Sequence, residues 1–272
     1  MKPLRDWDDA FANMAYIPGS EKLPEIWAQD GAVYRENATR IEEVAYGDHP
    51  REKLDLVWPD SVPKGLAVFV HGGFWVYLDK SHWSHYAEGA RANGWAVCLP
   101  SYTLAPEARI SDMTRQISTA LTKAATIVSG EIRLAGHSAG GHLTSRMVCA
   151  DTPLSSDVSN RITHTLSISG LHDLRPLLNT KLNEALNLNL DEATTESAVL
   201  QRPNGRPRVT AWVGGGERPE FIRQSQILAT MWEGLDADIS CQIDMQHDHF
   251  SVLEGLRDPD SPITQAFVGE LK

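Results

Sequence analysis

The stretch Ile132-Arg133-Leu134-Ala135-Gly136-His137-Ser138-Ala139-Gly140-Gly141-His142-Leu143 decides how the rest of the chain is read. It opens as a short apolar run of strand character and passes at once into a helical stretch, HLTSRMVCA, at 142–150. Between the two lies G-x-S-x-G. A serine on a sharp strand-to-helix turn takes strained backbone angles, so its neighbours must be small. Glycines two residues before and after it let strand and helix pack closely. Ser138 is then expected to project above a sheet at a helix N-terminus, where N–H groups and positive potential gather. The bare pattern also occurs in ordinary Gly-rich turns. Its place between a buried strand and a helix makes Ser138 the candidate nucleophile.

Outward from this point the chain alternates. LAVFV at 66–70 is apolar throughout, which suits a strand buried on both faces. WAVCLP at 95–100, THTLSIS at 163–169, PRVTAWVG at 207–214 and DISCQIDM at 238–245 repeat that character. Helix-length stretches separate them at about 81–93, 110–128, 139–150 and 219–234. Such alternation predicts an α/β fold, a mostly parallel central sheet with helices on both faces. IEEVAY at 41–46 and KLDLVW at 53–58 flank Gly47-Asp48-His49-Pro50 and read as a hairpin opening the sheet. Residues 1 to about 40 read as an arm plus a helix. The segment at about 171–206 is less regular and is expected to be an insertion or partial cap over the strand ends. Residues 1–272 are read as one domain.

Composition narrows the function classes. Lys and Arg number 25 against 36 Asp and Glu, a formal charge of −11, so clustered cations for nucleic acid or an anionic membrane are not expected. The N-terminus, MKPLRDWDDAF, lacks an apolar signal region, and no apolar run approaches membrane-spanning length. Cys98, Cys149 and Cys241 form no CxxC pair and are expected to be buried free thiols in a reducing, cytoplasmic setting. The expected partner is a small-molecule substrate. Oligomeric state stays open, with a homodimer as one option.

The serine needs donors for an oxyanion, a base and an acid. His71-Gly72-Gly73-Phe74-Trp75 follows the strand LAVFV, and its glycines let backbone N–H groups approach a substrate. The expected donors are Gly73 with Phe74, or Gly72 with Gly73, together with Ala139. Phe74 and Trp75 are expected to face the pocket. The order Ser, acid, His sends the search for the base beyond the last strand, to Gln246-His247-Asp248-His249-Phe250. His249 is preferred because Phe250 and Val252 behind it can anchor it, and His247 is the alternative. The acid is expected after PRVTAWVG. Glu217 is the first carboxylate there, with Glu220 as the alternative and a solvated pair with Arg218 as the non-catalytic reading. Metal sites drawn from His247, Asp248 and His249, or from His82 and His85, lack HExxH or Cys-His spacing, so no metal and no cofactor is expected.

These motifs resemble the arylformamidases, or kynurenine formamidases, among the hormone-sensitive-lipase-like α/β-hydrolases. The resemblance spans roughly 15–260. It rests on His71–Trp75, on Tyr102-Thr103-Leu104-Ala105-Pro106-Glu107 and on Gly136–His142. Ser169-Gly170-Leu171-His172-Asp173-Leu174-Arg175-Pro176, Pro219-Glu220-Phe221 and His249-Phe250 continue it. It implies an α/β-hydrolase fold and cleavage of N-formyl-L-kynurenine to L-kynurenine and formate. It also implies Glu217 as the acid, two residues before the proline of PEF, and His249 as the base. The family often carries aspartate where this chain has Glu217. A substrate carboxylate would want a cation, for which Arg109, Arg175 and Arg218 are candidates.

Overall fold

Residues 66–70 show why a sheet forms here. In the computed structural model, which describes residues 5–270, they lie in β3 (Gly65–Val70), and every residue of the strand is buried. Leu66, Val68 and Val70 enter one hydrophobic core while Ala67 and Phe69 enter another. Successive strand residues point to opposite faces, so a continuous apolar run is what a strand sandwiched between two cores requires. β5 (Glu131–His137) divides its residues the same way: Ile132 and Leu134 on one side, Ala135 on the other.

Eight strands form one sheet: β1 (Ile41–Ala45), β2 (Lys53–Val57), β3, β4 (Ala96–Pro100), β5, β6 (Ile162–Ile168), β7 (Arg208–Gly214) and β8 (Asp238–Asp244). Their order is β1-β2-β4-β3-β5-β6-β7-β8. β1 and β2 pair antiparallel, and so do β2 and β4, while the remaining pairs are parallel. The expected hairpin and the expected parallel sheet are both present. β8 alternates exposed and half-buried residues as an edge strand does, so Cys241 is only partly buried, whereas Cys98 and Cys149 are buried.

Helices Leu23–Asn37, Ile110–Ile127, Ala139–Arg146 and Pro219–Glu233 cover the sheet, and the stretch expected as helix 81–93 is a 3-10 helix followed by a short α-helix. No helix among the described residues is long and apolar enough to cross a membrane.

The segment 171–206 is inserted between β6 and β7. It folds into short helical turns tied to the helices beside it. The Glu196 carboxylate accepts from Thr114 Oγ1 at 2.6 Å and from Arg146 Nε at 3.2 Å, and its carbonyl oxygen accepts from His142 Nε2 at 2.8 Å. Glu192 accepts from Ser111 Oγ at 2.8 Å and pairs with Arg109. None of the segment's residues lines the cavity at Ser138, whereas residues 11–14 of the N-terminal arm do.

Close approach at the elbow leads to a prediction. A Cβ on Gly140 would lie 2.0 Å from the Val70 carbonyl oxygen and 2.6 Å from that of His71, both backbone atoms that cannot swing aside. Gly140→Ala is therefore expected to cost about 3 kcal/mol or more. Equilibrium urea unfolding checks this, and a parental midpoint would mean that helix and strand do not approach this closely.

Buried imidazoles set a second expectation. Burial pushes His71, His85 and His164 down to about 4 and His142 and His172 to about 3, and it holds His137 well below the usual range. In the unfolded chain they titrate near ~6.5. Below that pH the unfolded state takes up protons that the folded state refuses, so stability falls as pH drops from about 6.5 toward 4. The slope is up to about 1.4 kcal/mol per pH unit for each imidazole. Urea midpoints measured between pH 7.5 and 4.5 should decline steadily, and a flat profile would contradict the buried neutral state of these residues.

Candidate active site

Ser138 stands at the end of β5 with φ 54° and ψ −116°, a conformation that residues with side chains rarely adopt. Its N–H donates to the Ile168 carbonyl oxygen, 2.8 Å away at the end of β6, which pins the turn. Helix Ala139–Arg146 begins at the next residue, so the Ala139 N–H has no intrahelical acceptor.

Beside the elbow, β3 runs into the His71–Leu78 loop. Gly73 takes φ 111°, and a Cβ there would meet the Tyr77 carbonyl oxygen at 2.3 Å. The Gly73 carbonyl oxygen accepts the N–H groups of Val76 and Tyr77 at 3.0 and 2.9 Å, closing the loop into a tight turn. Among the described residues, the N–H groups of Gly73 and Phe74 donate to no protein acceptor. Gly73 and Phe74 line a cavity together with Ser138. Gly72 packs beneath them: a Cβ on it would lie 3.2 Å from Ser138 Cβ.

Trp75 departs from expectation. Phe74 and Trp75 follow each other at φ 51° and 61°, and this backbone turns the first side chain to the cavity and the second into the core. Trp75 is fully buried with its ring edge-to-face against His142, 5.3 Å between centroids, and it does not line the cavity.

His249 follows β8 and faces the same cavity. Its Nδ1 lies 2.6 Å from Glu217 Oε2. A carboxylate can only accept, so Nδ1 carries the hydrogen and Nε2 of the neutral ring is left as an acceptor. Ser138 and His249 open on one cavity without a direct hydrogen bond between them, a spacing common in unliganded sites. Rings enclose the imidazole: His137 at 4.6 Å, Phe221 at 4.6 Å and Phe250 at 5.1 Å. His137, kept neutral by burial first and by the facing His249 second, donates from Nε2 to the His249 carbonyl oxygen at 2.8 Å.

Glu217 is fixed from several sides. Its Oε1 accepts from Ser169 Oγ at 2.5 Å and from the Gly214 N–H at 2.8 Å. The alternatives lie elsewhere. Glu220 is buried against Arg223 at 2.7 Å and Gln224 at 2.9 Å, and Arg5 reaches it at 3.2 Å. His247 is over a third exposed at its side chain and stands 4.0 Å from Asp244.

The cavity measures about 280 Å³, just below the roughly 300–1,000 Å³ usual for ligand pockets. Phe11, Trp27, Phe74, Trp83 and Phe250 wall it with rings, and among the described residues no Lys, Arg, Asp or Glu lines it. The three candidate cations are committed elsewhere: Arg109 to Glu192, Arg175 to Asp173 at 2.8 Å, and Arg218 to Asp9 and the Tyr16 ring. Residues 11–14 of the arm, Trp27 and Trp83 had no motif to mark them, because an aromatic residue at helical spacing reads as core.

Residues 67–205 match the family model for the α/β-hydrolase fold. Kynurenine formamidase of Danio rerio is 30% identical over 235 residues, covering 82% of this chain and 79% of that protein. A crystal structure from Silicibacter sp. TM1040, provisionally described as a thioesterase, superposes with a TM-score of 0.91. It is 45% identical over 96% of this chain and 98% of the other. A hyperthermophilic esterase from Pyrobaculum calidifontis shares the fold at a TM-score of 0.71, with 15% identity over 90% of this chain and 88% of its own. Agreement in sequence and in fold has one consequence: the chain belongs to the α/β-hydrolase fold family and is an arylformamidase-like hydrolase.

Proposed function

We propose that this hydrolase cleaves a small aryl formamide, N-formyl-L-kynurenine, through a formyl-serine on Ser138. One observation carries the reading: His249, joined to the buried Glu217 at 2.6 Å, opens with Ser138 on a cavity walled by aromatic rings. In this mechanism Ser138 Oγ attacks the formyl carbon and its proton passes to His249 Nε2. The oxyanion forms beside the N–H groups of Gly73, Phe74 and Ala139, each donor worth about 3–4 kcal/mol of transition-state stabilisation. When the C–N bond breaks, His249 returns the proton to the departing arylamine nitrogen. Water then attacks the formyl-serine, its proton again taken by His249, and formate leaves with Ser138 restored. Phe74, Trp27 and Trp83 offer the rings against which an aryl group packs.

A second reading, a general esterase of short acyl groups, uses the same residues. It is favoured by the lack of a Lys, Arg, Asp or Glu along the cavity among the described residues, where an amino-acid end would find no counter-charge. Side-by-side kcat/KM values for N-formyl-L-kynurenine and p-nitrophenyl acetate separate the two. Preference for the formamide by about tenfold or more is expected, and ester cleavage without formamide cleavage would leave the esterase reading in its place.

A further inference from the structure

A carboxylate out of reach of water keeps one orientation only if its lone pairs find donors. Glu217 draws three from its surroundings: Ser169 Oγ and the Gly214 N–H on Oε1, and His249 Nδ1 on Oε2. The fourth comes from 204 residues away, where Asn13 Nδ2 lies 3.5 Å from Oε2, the oxygen His249 uses. That contact is long, but the amide is not free to turn. Asn13 is 3% exposed, and its Oδ1 accepts the Arg218 N–H at 2.8 Å. Arg218 directly follows Glu217, so one side chain of the arm grips the carboxylate and the backbone that carries it.

The arm is itself fastened at this place. The Arg218 guanidinium pairs with Asp9 and lies 3.9 Å from the centre of the Tyr16 ring, and Tyr16 donates to Asp9 at 2.5 Å. The Lys181 N–H donates to Asp8 at 2.7 Å. Phe11 packs edge-on against Phe221, which packs on His249. We propose that Asn13 is a positioning residue of the hydrolytic site. Seating of the N-terminal arm holds the Glu217 carboxylate in the orientation that aims His249 at Ser138, so the arm completes the machinery as well as roofing the cavity. An amide suits the task because it fills the last lone pair without adding charge. An aspartate would set two carboxylates against one imidazole.

The inference rests on the reading of Ser138, His249 and Glu217 as the hydrolytic residues, and its test is run on p-nitrophenyl acetate so that it does not depend on the natural substrate. Asn13→Ala in the full chain is expected to lower kcat about tenfold with KM within about threefold of the parent. Asn13→Asp, of the same size, is expected to move the acid limb of the kcat/KM profile up by about one pH unit, because a second carboxylate favours the imidazolium. The other groups facing the pair stay as they are: His137 neutral, Arg218 on Asp9, Glu220 on Arg223 and Arg5. Loss of Asn13 that raises KM with kcat intact, or an Asn13→Asp limb that coincides with the parent's, would overturn the proposal and leave the arm as a cavity wall. Activity surviving in Ser138→Ala is a different result, one that removes the serine reading itself.

Discussion

Ser138→Ala is expected to lower kcat by at least about 10⁴-fold while the protein stays folded. The residue is 2% exposed, and alanine removes a single oxygen from its side chain. What holds the elbow is backbone: the Ser138 N–H on Ile168 and the close contacts of Gly140. Those survive the substitution, and alanine meets the positive φ at a cost similar to serine's. Oxyanion donors and substrate binding remain, so the residual rate should still exceed that in water by about 10³–10⁴-fold. The check is single-turnover and steady-state kinetics on formamide and ester, with circular dichroism melts alongside. Wild-type-like turnover in a folded variant would end the serine mechanism.

Glu217→Gln should come next in size, lowering kcat by about 10³–10⁴-fold, whereas Glu220→Gln should stay within about threefold. Every partner of the Glu217 carboxylate is a donor: Ser169 Oγ, the Gly214 N–H, His249 Nδ1 and, at longer range, Asn13 Nδ2. A carboxamide has one accepting oxygen, so its NH2 must confront one of those donors. If it confronts His249, the ring takes the other tautomer and Nε2 can no longer accept the Ser138 proton. Glu220 has no such link to the imidazole. It is buried against Arg223 and Gln224, so its loss should appear as about 1–3 kcal/mol of stability. Kinetics and urea unfolding of the two variants separate the roles. The reverse order of kcat effects would move the acid to Glu220.

Much of this could be read from residues alone. The strands at 66–70, 95–100 and 132–136 were legible because a strand buried on both faces has no polar positions, and the eight observed strands fall on the eight expected runs within a residue or two. The elbow was legible because G-x-S-x-G encodes a local steric demand, visible here as a Gly136 Cβ that would lie 2.2 Å from the Gly140 carbonyl oxygen. Chain order then narrowed the candidate base and acid to His249 or His247 and Glu217 or Glu220. The pairing itself was not local information. His249 and Glu217 meet only because β7 and β8 are neighbours whose C-terminal ends carry both loops to one edge.

By itself, then, the sequence determined the layered sheet and the seat of Ser138, since both follow from short-range rules of periodicity and steric size. Tertiary structure alone decided what surrounds the serine. Trp75 was read as a pocket residue and lies in the core against His142, because the positive-φ turn of its loop points Phe74 to the cavity and leaves Trp75 facing inward. The insertion at 171–206 contributes no residue to the cavity, whereas the N-terminal arm places Phe11, Asn13 and Met14 on it. No pattern announces that choice. Apolar arm residues can bury themselves against many surfaces, and only the complete set of competing contacts — Arg218 with Asp9, Phe221 with Phe11, Asn13 with the Glu217 loop — selects one.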